Sequence, residues 1–308
     1  MPRSKIVPIL AVIGLVAAFA LAAGAALAAL GPQDPAADRA AALRHRFEEL
    51  RGAIASNGFG RPVALVSHDQ DHRLEGDVYA LVDHPFAEVE RALREPAQWC
   101  QVLVLPFNVK RCDARGGGAL SMYIARKGES TAAETFELDF RFRVESLGED
   151  FMRIALAADS GPLGTRDYRI ALEATPADGR HTIIHLGYAY GYGMVSRLAM
   201  QAYLSTAGAH KVGFTVEGRD GSGRPVYVRG MRGVMERNTM RYFLAIEAYL
   251  DSLAAPPPAR QDARIAQWFD ASERYPLQLH EMDRDDYVAM KRRELHAANA
   301  GAPGSGPS

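Results

Sequence analysis

Hydrophobic and polar residues alternate along the middle of the chain, as they do in half-buried strands. The clearest run is residues 136–144, whose apolar positions are Phe136, Leu138, Phe140, Phe142 and Val144. Alternation of this kind predicts a sheet with one covered face and one solvated face. Related patterns predict further strands at residues 74–82, 107–112, 119–126, 151–158, 166–175 and 181–192.

Apolar residues at helical spacing predict helices on both sides of these strands. The longest helix is predicted over residues 231–253, where Met235, Tyr242 and Ile246 belong to a broad apolar face. An earlier helix is predicted over residues 35–57. The sequence thus predicts one strand, a helical segment, six strands and a long C-terminal helix, an α+β order.

The N-terminus carries an uncharged apolar run, residues 6–30, that follows Arg3 and Lys5. This run is long enough to cross a bilayer, and Ala26-Leu27-Ala28 fits a signal-peptide cleavage pattern. Residues 1–31 are therefore expected to be a cleaved signal peptide or a retained membrane anchor, with a buried helix as a third interpretation. The first two interpretations place the chain in the periplasm, or on the cytoplasmic membrane facing outward.

Proline and glycine divide the rest of the chain into three parts. Residues 32–62 are predicted to be a helical stalk or linker, whose helix either extends away from or packs on the main domain, residues 63–254. A helix and a hairpin at residues 194–229 form an insertion in that domain. Residues 255–308 are predicted to be a tail, partly helical and partly disordered, that is available to a protein partner.

Composition and motifs exclude several classes of function. The formal net charge is −1, and no basic stripe with interleaved aromatic residues is present, so nucleic-acid binding is not expected. No nucleophile elbow, phosphate loop or dinucleotide fingerprint occurs, and neither a cofactor nor a catalytic residue is predicted. His68 and His72 fall in a segment interpreted as a loop, where their spacing fixes no metal geometry, so no metal site is predicted.

Two cysteines, Cys100 and Cys112, allow two interpretations. In an oxidising compartment they are able to form a disulfide bond, and export would favour that pairing. Alternatively, they are two small buried hydrophobic residues.

The element order resembles that of the START-like, or helix-grip, superfamily, which includes polyketide cyclases, coenzyme Q-binding proteins and relatives of plant pollen allergens. The resemblance covers about residues 63–253 and includes the turn Asp83-His84-Pro85-Phe86, with Asp83 as helix cap, followed by Trp99. It implies a curved antiparallel sheet around the long C-terminal helix, with a cavity between them. The insertion at residues 194–229 departs from the family's pattern, and it is interpreted as either a lid or an extra packing layer.

The candidate ligand-binding residues are aromatic. Tyr188, Tyr190 and Tyr192 share one strand face at a period of two, and that face is predicted to line the cavity. The other candidates are Phe140, Tyr168, Asn238 and Tyr242. In the alternative interpretation the tyrosines are core residues without a ligand, and Asn238 makes a structural hydrogen bond.

These residues favour binding or transfer of a hydrophobic small molecule or lipid, without catalysis. Two alternatives stay open. One is an enzyme of the cyclase or hydrolase kind in the same cavity, and the other is a non-catalytic factor in envelope assembly or structure.

Overall fold

An antiparallel sheet is the framework of the computed structural model, which describes residues 35–125, 135–206 and 208–300. Its eight strands are β1 (Val63–Gln70), β2 (Arg73–Val82), β3 (Val109–Arg115), β4 (Ala119–Ala125), β5 (Thr135–Leu147), β6 (Met152–Ser160), β7 (Arg166–Pro176) and β8 (Thr182–Gly191). Their order across the sheet is β1-β2-β8-β7-β6-β5-β4-β3, and every neighbouring pair is antiparallel.

The helices lie before, between and after these strands. They are α1 (Pro35–Glu49), α2 (Arg51–Ala55), α3 (Phe86–Leu93), α4 (Pro96–Leu103), α5 (Met194–Ser205), α6 (Gly230–Ser252), α7 (Arg260–Ser272), α8 (Pro276–Leu279) and α9 (Arg284–Ala300). A short hairpin of β9 (Val216–Arg219) and β10 (Pro225–Tyr227) forms a second sheet between α5 and α6.

Helix α6 is the centre of the fold, and its bounds differ by one residue from those predicted. Phe243, Leu244 and Ile246 are completely buried in the main core, because α6 is covered on more than one side. A side chain at Gly76 of β2 would collide with Thr239 and Met235, so glycine there lets α6 approach the sheet. The predicted α+β helix-grip architecture, a curved antiparallel sheet around a long helix, is confirmed.

Strand β1 corrects the interpretation of residues 68–72 as a loop. Residues Val63–Gln70 pair with β2 along their whole length, and Asp71 and His72 form the turn with φ angles of 52° and 61°. In the described part of the chain no group of His, Cys, Asp or Glu side chains is arranged to hold a metal ion. The N-cap of this first helix after β2 also differs from the prediction. Pro85 occupies the N-cap position of α3, and Asp83 lies two residues before it.

Of the two interpretations of the segment before the main domain, the structure shows the packed one, because its helix α1 lies against the outer face of the sheet. Ala40 and Leu43 of α1 pack against Phe151 and Ile183 in a small separate core. Arg44 pairs with Asp150 at 2.9 Å. The single helix predicted over residues 35–57 is divided into α1 and α2.

The C-terminal helices, predicted as part of a tail, share the main core. Trp268 of α7 and Tyr287 of α9 are completely buried there. The Tyr287 hydroxyl donates to the carbonyl of Leu105 at 2.8 Å, and the Trp268 ring N–H donates to the carbonyl of Arg241 at 3.1 Å. Residues 301–308 lie outside the described part of the chain.

A disulfide joins α4 to β3. Cys100 and Cys112 are bonded, with their Cα atoms 5.1 Å apart. Closing a loop of this size stabilises the folded state by about 3 kcal/mol in the chain-entropy model.

The predicted signal peptide or membrane anchor, residues 1–31, lies outside the described residues. Within the described ranges, no helix has both the length and the apolar character that crossing a membrane requires.

Candidate functional site

A cavity of about 1890 Å³ lies between the sheet and α6. Residues of β3, β4, β5, β7 and β8 form one wall, α6 forms another, and residues of α5 and α9 complete the lining. Pockets for small ligands are commonly about 300–1,000 Å³, so this space is large enough for an extended molecule.

Aromatic residues build one wall of the cavity, which we call the tyrosine wall: Phe140, Tyr168, Tyr188, Tyr190 and Tyr242. Tyr168 and Tyr190 stand on neighbouring strands and stack with ring centroids 5.2 Å apart. Tyr188 meets Tyr242 of α6 edge to face at 5.3 Å. The period of two brings Tyr188 and Tyr190 to the same face of β8, which is the inner face of the sheet.

The tyrosine hydroxyls differ in their partners. Tyr168 donates to Thr165 Oγ1 at 2.8 Å. Tyr188, Tyr190 and Tyr242 make no side-chain hydrogen bond to a described residue, and burial raises the pKa of each phenol above its usual value. These three hydroxyls therefore stay protonated near neutral pH, and each offers a donor and an acceptor to a ligand.

A polar group of side chains lies on the same helix as Tyr242. Arg237, Asn238 and Arg241 line the cavity, and we call them the guanidinium corner. Arg237 and Arg241 are four residues apart, so both lie on one side of α6. Arg241 is held by Glu281 at 2.6 Å and lies 3.5 Å from the side-chain oxygen of Asn238.

Six of the seven predicted binding residues line this cavity: Phe140, Tyr168, Tyr188, Tyr190, Asn238 and Tyr242. Tyr192 does not. Strand β8 ends at Gly191, and Tyr192 lies in a separate pocket, where its hydroxyl donates to Asp69 at 2.8 Å. Tyr192 still shares the main core with Tyr188 and Tyr190, and its N–H donates to the carbonyl of His72 at 2.9 Å, but at the end of β8 it does not line the cavity.

Sequence reasoning missed the two arginines as ligand-facing residues. The signal that could have identified them is their spacing of four residues in the helix predicted over residues 231–253, which places both on one side of it. Glu236, the neighbour of Arg237 in α6, is completely buried and does not line the cavity. Its carboxylate accepts hydrogen bonds from Ser67 and from the backbone and hydroxyl of Thr215.

Helix α5 presents opposite faces to the cavity and to solvent. Ser196, Ala199, Met200 and Tyr203 line the cavity at helical spacing. On the outer face Met194, Val195 and Leu198 are 79%, 65% and 60% exposed. The helix of the predicted insertion therefore separates the cavity from solvent, as either a lid or an extra packing layer would.

Comparisons with known proteins give distant similarities only. No protein-family model and no curated protein matches the chain. A START superfamily protein from Mycobacterium smegmatis is 12% identical over 47% of this chain and 92% of its own, with a TM-score of 0.29.

Two further solved structures are enzymes. An aromatase/cyclase from Streptomyces sp. R1128 is 11% identical over 69% of this chain and 95% of its own, with a TM-score of 0.29. A truncated norcoclaurine synthase from Thalictrum flavum is 15% identical over 48% and 86%, with a TM-score of 0.30. Such values are too low to carry an argument about ligand or activity, and the START-like helix-grip fold rests on the strand order and on α6.

Proposed function

We propose that this chain binds an apolar small molecule or lipid in the cavity between its sheet and α6. The observation that carries the proposal is the volume of about 1890 Å³ beside the tyrosine wall, next to a core of buried apolar side chains. Removing apolar ligand surface from water contributes about 25 cal/mol per Å², so a cavity of this size provides ample driving force.

Transfer of the ligand would need a way in and out, and we propose α5 as the lid. Its inner face already lines the cavity, and its outer apolar face has few contacts to break. Ala199 points inward and Leu198 outward, so the two neighbours form a matched pair for a test.

An enzyme in the same cavity is less well supported. Three of the four lining carboxylates pair with basic side chains: Glu137 with Arg115, Glu281 with Arg241, and Glu294 with Lys110. General acid–base catalysis needs a group that is able to exchange a proton with the substrate, and ion pairing opposes that exchange. The tail is also poorly suited to an assembly role, since Trp268 and Tyr287 pack the chain's own core.

We further propose that the chain is exported. The apolar run of residues 6–30 motivates this proposal, and the disulfide between Cys100 and Cys112 supports it because such bonds persist in oxidising compartments. A reporter fused after Ser308 should be active only outside the cytoplasm. Activity confined to the cytoplasm would contradict export.

Native mass spectrometry of the full-length protein, purified from its own host, tests ligand binding directly. A co-purified apolar molecule is expected, and a chain that carries none and binds no added apolar fluorescent probe would refute the proposal. Replacement of Ala199 by Trp should slow uptake of that probe, because the indole would occupy the passage beneath α5. Leu198→Trp, on the solvent side, should take up the probe at the original rate.

A further inference from the structure

The guanidinium corner holds more hydrogen-bond donors than the protein uses. A guanidinium group has five N–H donors. Arg237 is only 3% exposed, and the one hydrogen bond it makes within the described residues runs from Nη1 to the carbonyl of Val212 at 3.2 Å. Arg241 Nε is buried without a partner in the same part of the chain.

Positive charge is also in excess at this corner. Glu281 is the carboxylate that pairs with Arg241, and it is shared with Lys211 at 3.5 Å. The carboxylate of Glu236, next to Arg237 in the helix, accepts hydrogen bonds from the hydroxyls of Ser67 and Thr215. Within the described residues no carboxylate forms an ion pair with Arg237, although Glu236 and Glu281 are near enough to favour its charged form.

Arg237 stays charged despite its burial. Burial, followed by repulsion from Arg241, lowers the pKa of Arg237 to about 10, so the group is protonated at neutral pH. Burying an unpaired charge is costly, and the cost falls when a counter-charge with matching hydrogen-bond acceptors is bound. The corner therefore has the charge and the free donors to bind an anion with several acceptor oxygens.

We propose that the guanidinium corner binds the anionic head group of an amphiphile, a carboxylate or a phosphate, while its apolar tail lies along the tyrosine wall. This inference rests on the proposed function and names the class of ligand. Guanidinium groups bind both head groups through paired, charge-assisted hydrogen bonds. Tyr242 is next to Arg241 in the chain and contacts Tyr188, so the corner and the wall are continuous.

Three ligands with the same tail test the proposal on the full-length protein in one non-ionic detergent: oleic acid, oleyl alcohol and lysophosphatidic acid with an oleoyl chain. Their affinities are measured by displacement of an apolar fluorescent probe. The unmodified protein should bind one or both anions at least about tenfold more tightly than the alcohol, as expected for hydrogen bonds to a charged group. The anion preferred identifies the head group as a carboxylate or a phosphate.

Arg237→Met should remove that preference and leave the affinity for oleyl alcohol unchanged. Arg237→Lys keeps the charge but loses the paired geometry, and it should weaken binding of the anions alone by a few-fold. Arg264→Met is the matched control, since Arg264 is similarly buried but lies outside the cavity; its ligand preference should be that of the unmodified protein.

Two results would overturn the inference while the proposed function survives. One is equal affinity for the alcohol and both anions in the unmodified protein. The other is an equal loss of affinity for all three ligands in the Arg237 variants, which would make the corner structural. If none of the three displaces the probe and the probe itself does not bind, the proposed function fails as well. If Arg237→Met does not fold, the test rests on the affinities of the unmodified protein and of Arg237→Lys for the two anions relative to oleyl alcohol.

Discussion

Replacing Tyr190 by Trp distinguishes a ligand cavity from a filled core. Tyr190 lines the cavity and stacks on Tyr168, so the larger indole has room to extend into the open space. Adding bulk to a closely packed core costs about 1–3 kcal/mol, but a side chain that grows into a void should cost less than about 1 kcal/mol. We therefore expect a small change in the free energy of unfolding.

Ligand binding should respond more strongly than stability. If the indole takes about 50 Å² of contact from an apolar ligand, at about 25 cal/mol per Å² the loss is about 1.3 kcal/mol, or roughly tenfold in Kd. Urea unfolding gives the stability and displacement of an apolar fluorescent probe gives the affinity. Phe243→Trp is the matched control, because Phe243 is completely buried on the same core and does not line the cavity.

The control should show the opposite pattern, with a loss of about 1–3 kcal/mol in stability and unchanged probe affinity. The contrary result is a Tyr190→Trp variant that loses as much stability as Phe243→Trp and binds the probe with unchanged affinity. That result would mean that the inner face of β8 is packed core and that no ligand space exists beside it.

Three further predictions concern stability. Burial alone would lower the pKa of His185, but hydrogen bonds to Asp77 and Glu173 raise it to about 9. Because this folded pKa exceeds the unfolded value of about 6.5, the stabilisation is complete below pH 6.5 and is lost as the pH rises through 9; it amounts to at most about 3 kcal/mol. Urea unfolding at pH 6 and pH 9.5 should show this loss in the unmodified protein, and an equal loss in His185→Gln would contradict it. Replacing both Cys100 and Cys112 by Ala should lower the free energy of unfolding by about 3 kcal/mol, and an unchanged urea midpoint would argue against the bond. Lys291→Met should lower the free energy of unfolding by about 1–3 kcal/mol, because Lys291 Nζ donates to the carbonyls of Pro106 and Val109 at 2.9 and 2.7 Å and these carbonyls would lose their donor. A variant that unfolds at the same temperature as the unmodified protein would show that these hydrogen bonds do not contribute to stability.

The regular elements were predictable because their residues carry the pattern of burial locally. Alternation in residues 136–144 follows from a strand with one face on the core, and β5 spans these residues. The apolar face of residues 231–253 likewise follows from a helix that the sheet covers. Trp268 and Tyr287 gave a weaker signal, because each sits in a charged segment and their burial depends on contacts with residues far away in the chain.

Strand β1 and Tyr192 show where local pattern ends. Strand β1 is an edge strand whose last residues are polar and exposed. These residues form a strand because β2 offers a free edge for hydrogen bonding, which their own sequence does not show. Tyr192 continues the alternation and shares the main core with Tyr188 and Tyr190, but it lies past the last residue of β8 and lines a second pocket instead of the cavity.

The chemistry of the cavity was decided by the tertiary structure. The sequence shows arginines at positions 237 and 241, with spacing that places them on one side of a helix. Helix α6 is buried over most of its surface, so periodicity does not distinguish the side that meets the sheet from the side that meets the cavity. Only the packing of β2, α7 and the inserted segment around α6 leaves these guanidinium groups facing open space, because burial is a property of the surroundings and not of the residue.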